Sequence, residues 1–302
     1  MNTLITTGAR FADIDALACA VAYAELLNKK GIKSQVYMPG ALNNTVTKSI
    51  LKWDMNYVTD ISDEMFNYVI VDCSNIDVLP EFAKSENILE IWDHRFGYED
   101  AWNKEKIRIV IDEVGACATL IWEEFKREKK LDISKISANL LYTAIFSNTL
   151  NFKASVTTDR DILAFEELKR YVDTPVNWIE KYYSESEEQT MSDPISAVKN
   201  DTKVVDFPDK KIKITIGQIE LWNSLGFIKN NIETIKDTLQ GFGCDEWFMT
   251  APSISEGKNY IFTNNEKVKN MLKKLIQVTF NGDIGVTNKL WLRKEILKKL
   301  LA

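Results

Sequence analysis

The sequence of 302 residues contains one histidine, His94, which lies between Asp93 and Arg95. A lone histidine is most often a packed or surface residue, but imidazole also serves as a metal ligand and as a general acid or base. The apolar run over residues 87–91 directly before it predicts a strand. Because open α/β sheets bind ligands at the carboxyl ends of their strands, this position favours a functional role for His94.

Three aspartates occupy comparable positions. Asp13 and Asp15 follow a short β-rich segment near the N-terminus, and Asp72 ends a nearly continuous apolar run. Asp13 and Asp15 could hold a divalent cation or could cap the helix that follows them. Asp72 needs a buried partner, either a cation or loop amides. If the strands are parallel, these carboxylates and His94 share one sheet edge, and oxygen ligands with one imidazole suit Mn²⁺ or Mg²⁺.

The elements that would position these residues alternate between strand and helix. A helix is predicted from Ala16 to Lys30, and strands are predicted at residues 33–38, 67–72 and 107–111. Near-continuous apolar strands are typical of parallel sheets that are covered on both faces. The fold class is therefore predicted to be α/β, with an N-terminal doubly wound, mainly parallel sheet.

The composition changes at residues 184–193, a polar and acidic segment that is either a linker or a solvated helix end. Beyond it, a hairpin around Pro208, further strands and a basic final helix predict a smaller α/β domain with a mixed sheet. We therefore predict two domains, residues 1–188 and residues 189–302.

Composition excludes some classes of function. The formal net charge is −6, which disfavours a general affinity for nucleic acid polymers or anionic membranes. The chain has neither an apolar run of about 18 residues nor a signal-peptide pattern at its start, so we predict no membrane span. The four cysteines lack C-x-x-C spacing, which favours free thiols in a reducing cytoplasm.

Two further segments could bind phosphate. Residues 115–119 (GACAT) form a small-residue loop at the start of a predicted helix, where backbone amides could receive an anion or small side chains could pack tightly on the sheet. Lys203, Arg293 and Lys294 could supply positive charge from the second domain. Without other context, basic residues on an amphipathic helix are usually a solvated face.

The joint order of these segments resembles the DHH phosphoesterase superfamily, and within it the manganese-dependent (family II) inorganic pyrophosphatases with a C-terminal DHH-associated domain. The resemblance spans nearly the whole chain. The similar segments are residues 8–15 (GARFADID, family GHxNPDxD), 71–72 (VD), 93–95 (DHR, family DHH), 115–119 (GACAT, family GSxAT), 143–153 (TAIFSNTLNFK, family AILSDTLxFK), 201–203 (DTK) and 292–294 (LRK, family SRK).

Three positions depart from the family pattern. Ala9 stands where the family has a metal-binding histidine, and Asn148 stands where it has a metal-binding aspartate. Arg95 replaces the second histidine of D-H-H, and this D-H-R form is similar to the prune-type branch of the superfamily. Loss of an imidazole and a carboxylate should weaken occupancy by two metals. The guanidinium of Arg95 could hold phosphate in partial compensation.

The resemblance also implies roles for individual residues. The implied metal ligands are Asp13, Asp15, Asp72, His94 and, more weakly, Asn148. The implied catalytic group is Asp72, His94 and Arg95. The implied substrate ligands are Arg95, Lys203, Arg293 and Lys294, the last three from a mobile second domain that closes over the cleft. The implied cofactor is Mn²⁺, with Mg²⁺ or Co²⁺ as alternatives, and the number of ions, one or two, stays open.

The leading hypothesis is a metal-dependent phosphohydrolase that acts on pyrophosphate or a related small phosphoanhydride or phosphoester. The alternative is a catalytically degenerate DHH protein that binds a phosphate-bearing ligand without efficient turnover, and Ala9 and Asn148 favour this alternative. The expected partner is a small phosphate-bearing substrate. A homodimer is implied only by the resemblance.

Overall fold

A computed structural model describes residues 2–61, 66–80, 86–95, 97–102, 106–128, 131–207 and 212–301, except for the side chains of residues 99, 189, 207, 212, 294 and 301. The chain divides into two compact units. The first is Met1–Phe152 with Val156–Tyr182, and the second is Lys153–Ser155 with Tyr183–Ala302. This division and the predicted boundary after residue 188 fall within the same helix, Trp178–Ser192.

The first unit contains the regular elements of an α/β layered structure. Its described elements are β1 (Thr3–Thr6), β2 (Phe11–Ala12), α1 (Ile14–Lys29), β3 (Ser34–Val36), β4 (Ala41–Leu42), β5 (Asn67–Val71), β6 (Ile88–Asp93), β7 (Arg108–Ile111), α2 (Cys117–Arg127), α3 (Lys135–Asn148), α4 (Asp159–Leu168) and the start of α5 (Trp178–Ser192). Short 3₁₀ turns lie at Ile50–Lys52, Ile76–Val78 and Glu99–Ala101.

The main sheet of this unit is parallel throughout, in the order β3-β1-β5-β6-β7. The chain runs outward from β1 to β3 on one side and from β5 to β7 on the other, so the strand order reverses between β1 and β5. Ligands of open α/β sheets bind outside the carboxyl ends of the strands at this reversal. The sequences that follow β1, β5 and β6 hold the predicted site residues.

Local sequence explains why these elements form. The side chains of residues 68–71 in β5 are all buried, as expected of a strand that is covered on both faces. The carboxylate of Asp13 caps α1 by accepting a hydrogen bond of 2.9 Å from the amide of Ala16. Alanine-rich α1 packs against α2 and α3. The start of α4 has a capping box between Thr158 and Asp161.

The second unit is built on a mixed sheet. Its described elements are the end of α5, α6 (Pro194–Asn200), β8 (Thr202–Phe207), β9 (Ile212–Gln218), α7 (Ser224–Asn230), α8 (Ile232–Gln240), β10 (Glu246–Ser253), β11 (Lys258–Phe262), α9 (Glu266–Ile276), β12 (Thr279–Asn281), β13 (Ile284–Thr287) and α10 (Arg293–Leu301). The sheet order is β12-β13-β11-β10-β9-β8, with one parallel pair, β9 and β10.

The core of the second unit lies on both faces of this sheet. Along β10, Trp247 and Met249 belong to one buried cluster and Phe248 belongs to the other. This assignment follows the two-residue period of a strand, whose successive side chains point to opposite faces. Helices α6 and α8 cover the first face, and α9 and α10 cover the second.

The predicted fold class is confirmed: a five-stranded parallel sheet forms in the N-terminal part and a mixed sheet forms in the C-terminal part. The sequence analysis did not predict the β2–β4 pair, helices α6 and α7, or the β12–β13 hairpin. The predicted turn at Pro208 lies outside the described residues. No helix in the described part of the chain has the length and apolar character needed to cross a membrane.

Candidate metal centre

Asp15, Asp72 and His94 come together at the strand-order reversal of the parallel sheet. One ligand atom from each lies within 4.8 Å of the other two. Asp15 is in the first turn of α1, Asp72 follows β5, and His94 follows β6. Asp72 has a φ of 50°, a left-handed conformation that is rare for residues other than glycine. Such strain is concentrated at functional sites.

The imidazole of His94 is oriented for a cation. Its Nδ1 lies 3.1 Å from the carbonyl oxygen of Val114, an acceptor, so Nδ1 carries the proton in the neutral ring. The buried Nε2 makes no hydrogen bond to any described residue, although it lies 3.4 Å from Oδ1 of Asp72. A metal-binding histidine has this arrangement, in which a carbonyl holds one nitrogen and leaves the other free.

The protonation of His94 also reflects a local excess of negative charge. Burial lowers the pKa of His94, but the carboxylates of Asp72 and Asp15 outweigh this effect and raise the pKa to about 9. A cation, whether a proton or a metal ion, is therefore favoured between these three side chains. The buried, otherwise unpaired Nε2 and the oxygen-rich surroundings fit Mn²⁺ or Mg²⁺.

Asp15 is the most buried member of the group, with no exposed surface. The backbone amides of Cys117 and Ala118 donate to its two oxygens over 2.8 and 2.9 Å. Despite these donors, burial and the neighbouring charge of Asp72 raise the pKa of Asp15 to about 7. The structure thus provides hydrogen bonds for this carboxylate but too little positive charge.

Asn148 lies at the end of α3, and its Nδ2 donates a hydrogen bond of 2.6 Å to Oδ2 of Asp15. Asn148 therefore contacts the cluster of Asp15, Asp72 and His94, as predicted from the family-like segment 143–153. A neutral amide satisfies Asp15 by donating a hydrogen bond, whereas a carboxylate here would repel Asp15 unless a cation lay between them. Ala9 offers no ligand atom, and its backbone amide donates to the carbonyl of Val78 over 2.7 Å.

Arg95 also contacts Asp72. Its guanidinium nitrogens are 3.0 and 3.4 Å from Oδ1 and Oδ2 of Asp72, and it also donates to the Asp72 carbonyl over 2.7 Å. Burial alone would raise the pKa of Asp72, but Arg95 and His94 hold it below its usual value. Oδ1 of Asp72 thus lies close both to the permanently charged guanidinium of Arg95 and to Nε2 of His94.

Asp13 is adjacent to the group but not part of the tight cluster. Burial, with a further contribution from Asp72, raises the pKa of Asp13 to about 6. Its Oδ1 is engaged with the Ala16 amide as a helix cap. The capping role of Asp13 is confirmed by this hydrogen bond, whereas metal binding by Asp13 stays a prediction.

Three contacts that sequence reasoning missed support the centre. Ser74 Oγ donates to Asp93 Oδ2 over 2.6 Å, and the amide of His94 donates to Asp93 Oδ1 over 2.7 Å. Asp93 therefore fixes the turn that presents His94. The third contact is the Val114 carbonyl at Nδ1. The Ser74 and Val114 contacts have no sequence signal, since each joins residues about 20 positions apart in separate loops or strands.

The loop at residues 115–119 binds carboxylates of the protein itself. Cys117 and Ala118 donate to Asp15, and the amide of Gly115 donates to Asp161 Oδ2 over 2.8 Å. A Cβ on Gly115 would lie 2.5 Å from the Thr149 side chain and 3.0 Å from Asp161, so only glycine fits. The amides of this loop thus bind anions, as predicted, but the anions are carboxylates of the chain itself. The predicted tight packing is found at Gly115.

The basic residues of the second unit have different surroundings. Arg293 begins α10, is 8% exposed, and pairs with the carboxylate and carbonyl of Asp201. Lys203 is exposed on β8. The side chain of Lys294 lies outside the described residues. The predicted substrate contacts of all three stay predictions.

Comparison with known proteins agrees with this geometry. Residues 3–145 match the family described as the DHH family, N-terminal domain. The matched segment contains Asp13, Asp15, Asp72, His94 and Arg95. The resemblance of the D-H-R form to the prune-type branch stays a prediction.

Two relatives of this chain have the same name. A Bacillus cereus protein named probable manganese-dependent inorganic pyrophosphatase is 26% identical over 176 residues, which are 57% of this chain and 56% of that protein. An Exiguobacterium protein of the same name is 26% identical over 171 residues, 56% of this chain and 55% of that protein. The chain thus spans about half the length of these relatives.

Solved structures show the same fold. A Methanococcus jannaschii protein, provisionally described as a family II inorganic pyrophosphatase, matches with a TM-score of 0.63 and 20% identity, over 99% of this chain and 98% of that one. An exopolyphosphatase-related protein from Bacteroides fragilis matches with a TM-score of 0.55 and 13% identity, over 99% of this chain and 90% of that one.

Proposed function

We propose that this protein is a metal-dependent phosphohydrolase that acts on pyrophosphate or a related small phosphoanhydride or phosphoester. The observation that carries the proposal is the buried Nε2 of His94, which makes no hydrogen bond to any described residue and lies beside Asp15 and Asp72. The match of residues 3–145 to the DHH family and the relatives named manganese-dependent inorganic pyrophosphatases support it. Mn²⁺ is the proposed ion, and Mg²⁺ or Co²⁺ are the alternatives.

The proposed site holds one ion. Asp15, Asp72 and His94 supply its ligands, while Ala9 offers none and Asn148 contributes a neutral amide. An ion bound there would supply Lewis-acid polarisation of a phosphoryl oxygen and a lowered pKa for a coordinated water. Arg95 is the proposed counterpart of a second cation because its guanidinium already forms an ion pair with Asp72.

The residues of the chain have separate tasks in this proposal. His94 is held in one tautomer by the Val114 carbonyl, and Asp93 fixes the backbone that presents it. Arg95 lines the adjacent cavity, and its side chain is 48% exposed. Its guanidinium can bind a phosphate there, as it already binds the carboxylate of Asp72. Lys203, Arg293 and Lys294 stay proposed substrate ligands.

All four cysteines are free and buried, which supports the proposed cytoplasmic location.

The second candidate function is phosphate-ligand binding without efficient turnover. The contact between Asn148 and Asp15 favours it, because an amide donor occupies the position of a family metal ligand. Under this alternative, Arg95 would hold the ligand and no water would be activated. A homodimer stays a prediction under both candidates.

A matched set of variants distinguishes the two candidates. Wild type, His94→Ala, Asp72→Asn and Asp112→Asn are assayed for hydrolysis of pyrophosphate and tripolyphosphate with Mn²⁺, Mg²⁺ or Co²⁺. Asp112 is the control, because it is an exposed carboxylate that follows β7 at the same sheet edge and pairs with Arg160. Turnover that is lost in His94→Ala and Asp72→Asn but kept in Asp112→Asn supports the hydrolase.

The opposite result is also defined. No turnover by the wild type, together with turnover by the double variant Ala9→His/Asn148→Asp, would establish the degenerate binder and overturn the hydrolase proposal. Calorimetric Mn²⁺ titration of the same proteins shows whether any loss of turnover coincides with loss of the ion.

A further inference from the structure

A cavity of about 320 Å³ lies in the first unit at the C-terminal ends of α2 and α4. These two helix ends and the loop at residues 131–133 form its wall, and none of the described wall residues belongs to the cluster of Asp15, Asp72 and His94. Pockets that bind small molecules have volumes of about 300–1,000 Å³. The cavity therefore has the volume of a binding site for a small molecule, at a position separate from the metal centre.

Contacts within the chain hold the aromatic side of this cavity in place. The indole Nε1 of Trp122 donates to Oε2 of Glu167 over 2.7 Å, and Nζ of Lys126 lies 2.6 Å from the same oxygen. The ring of Tyr171 packs on Trp122 with 5.4 Å between the ring centroids, yet Tyr171 is 41% exposed. Further apolar surface comes from the other hydrophobic wall residues, Phe125, Leu131 and Ile133. An apolar ligand group that covers this surface gains free energy.

Most of the charge in the cavity wall is balanced within the chain. Five charged side chains line the cavity, namely Lys126, Glu128, Asp132, Glu167 and Arg170. Lys126 forms an ion pair with Glu167, and Glu128 forms an ion pair of 2.8 Å with Lys30. Three of the five charged side chains therefore have a partner of opposite charge without any ligand.

Asp132 and Arg170 carry the two remaining charges, and both residues are exposed. Within the residues that the structure describes, neither side chain forms an ion pair or a hydrogen bond. Lys29 donates to the backbone carbonyl of Asp132, but its ammonium group forms its ion pair with Glu25, over 2.8 Å. The cavity wall thus offers one carboxylate and one guanidinium to a ligand.

This pair of opposite charges restricts the chemistry of the ligand. A guanidinium binds a carboxylate through two parallel hydrogen bonds, and a carboxylate accepts charge-assisted hydrogen bonds from an ammonium group. A ligand with charge of only one sign would leave either Asp132 or Arg170 without a partner. A zwitterion with an apolar side chain, by contrast, matches both charges and the aromatic surface at Tyr171.

We propose that this cavity binds a free α-amino acid with a large apolar side chain. The carboxylate of the ligand pairs with Arg170, its ammonium group pairs with Asp132, and its side chain covers Tyr171. The inference goes beyond the proposed hydrolase function, because it assigns a ligand to residues that take no part in the metal centre.

Calorimetric titration of the purified full chain tests the proposal with L-phenylalanine, 3-phenylpropionate and 2-phenylethylamine. The second compound lacks the ammonium group and the third lacks the carboxylate. Because a hydrogen bond to a charged group contributes enough free energy for about a 10-fold change in affinity, the wild type should bind L-phenylalanine about 10-fold more tightly than either analogue.

Two substitutions identify which group of the ligand each residue binds. Arg170→Gln should weaken binding of L-phenylalanine by about 10-fold and leave binding of 2-phenylethylamine unchanged. Asp132→Asn should weaken binding of L-phenylalanine by a similar factor and leave binding of 3-phenylpropionate unchanged. Arg127→Gln is the matched control, because Arg127 is an exposed residue of α2 that pairs with Glu124 and does not line the cavity. It should change none of the three affinities.

Absence of L-phenylalanine binding by the wild type, or equal affinity for L-phenylalanine and either analogue, would overturn the proposed amino-acid site. Undiminished binding by the double variant Arg170→Gln/Asp132→Asn would also overturn it. Both positions are exposed, so thermal unfolding without ligand should be the same for these variants and the wild type. The result is independent of hydrolysis, because binding at this cavity is measured without a phosphate compound.

Discussion

The buried charges of the two units are balanced in different ways. In the first unit, the carboxylates of Asp15 and Asp72 gather around a histidine that has an unpaired nitrogen. In the second unit, buried cations meet carboxylates of the chain itself: Lys269, 5% exposed, contacts Glu266 and Asp283, and Arg293 contacts Asp201. The first arrangement leaves the buried carboxylate of Asp15 with too little positive charge, whereas the carboxylates in these pairs of the second unit each meet a cation.

This difference separates charge that stabilises a fold from charge that serves a ligand. A buried ion pair formed within the chain is complete without a partner molecule. A group of buried acids whose pKa values are raised, as for Asp15, is a feature of binding and catalytic sites. We therefore expect removal of a charged group to affect ligand binding and activity in the first unit but stability in the second.

The largest effect is expected from His94→Ala in the first unit. Loss of the only imidazole ligand should reduce Mn²⁺-dependent hydrolysis by about 10³-fold, since the ion and its bound water would no longer be held. Thermal unfolding without metal should change little by comparison. Steady-state hydrolysis and calorimetry provide the measurements, and unchanged turnover with intact metal binding would contradict the role of His94.

The second effect concerns Arg293→Met in the second unit. Removal of the guanidinium takes away hydrogen bonds to the Asp201 and Ile216 carbonyls and the contact with the half-exposed Asp201 carboxylate, so the free energy of unfolding should fall by about 2 kcal/mol. Lys203→Met, at an exposed position, should change it by less than about 0.5 kcal/mol. Equilibrium unfolding in urea measures both variants. If Arg293→Met lowered the free energy of unfolding no more than Lys203→Met, the proposed contrast between the two units would be wrong.

Glu187 is an exception in the second unit, because its buried carboxylate accepts a hydrogen bond from the amide of Trp222 but meets no cation in any ion pair described here. Burial raises the pKa of Glu187 from 4.5 to about 7. Because the carboxyl group of Glu187 has a higher pKa in the folded protein than in the unfolded chain, it contributes its full stabilisation below pH 4.5. That stabilisation is lost as the pH rises from 4.5 to about 7.

The wild type should therefore lose on the order of 2 kcal/mol relative to Glu187→Gln between pH 4.5 and 7. Urea unfolding of both proteins at several pH values measures this difference. If the difference in unfolding free energy between the two proteins did not change with pH, Glu187 would have the same pKa in the folded and unfolded states.

The smallest effect is expected from Asn148→Asp. A carboxylate in place of the amide that contacts Asp15 should raise the affinity for Mn²⁺ about 10-fold, because it adds charge and a ligand beside the ion. Asn139→Asp is the matched control, since this asparagine is also in α3 and donates to Asp173. Weaker Mn²⁺ binding by Asn148→Asp, or an equal increase in the control, would count against a site at Asp15.

Much of the first unit could be predicted from sequence. The apolar run of β5 and the alternation of strands and helices predicted the parallel sheet, and the DHH-like segments predicted which residues meet at its edge. These signals are local, because they depend on hydrophobic period and on residues next to strand ends. The cluster of Asp15, Asp72 and His94 lies where that reasoning expected it.

Other features depend on distances that no local pattern encodes. The partners of the site, such as Val114 at His94 and Asp161 at Gly115, come from other loops and helices. The contact of Arg95 with Asp72 and the burial of Arg293 against Asp201 also required the folded chain. The short β2–β4 pair has only two residues in each strand, too few for a recognisable alternation.

The most direct test of the proposed centre is the number of Mn²⁺ ions that the purified full chain binds, measured by calorimetric titration with elemental analysis. We predict one ion per chain, and its loss in His94→Ala but not in Asp112→Asn. Two ions per chain, or one ion that binds equally well without His94, would contradict a single-metal centre completed by Arg95.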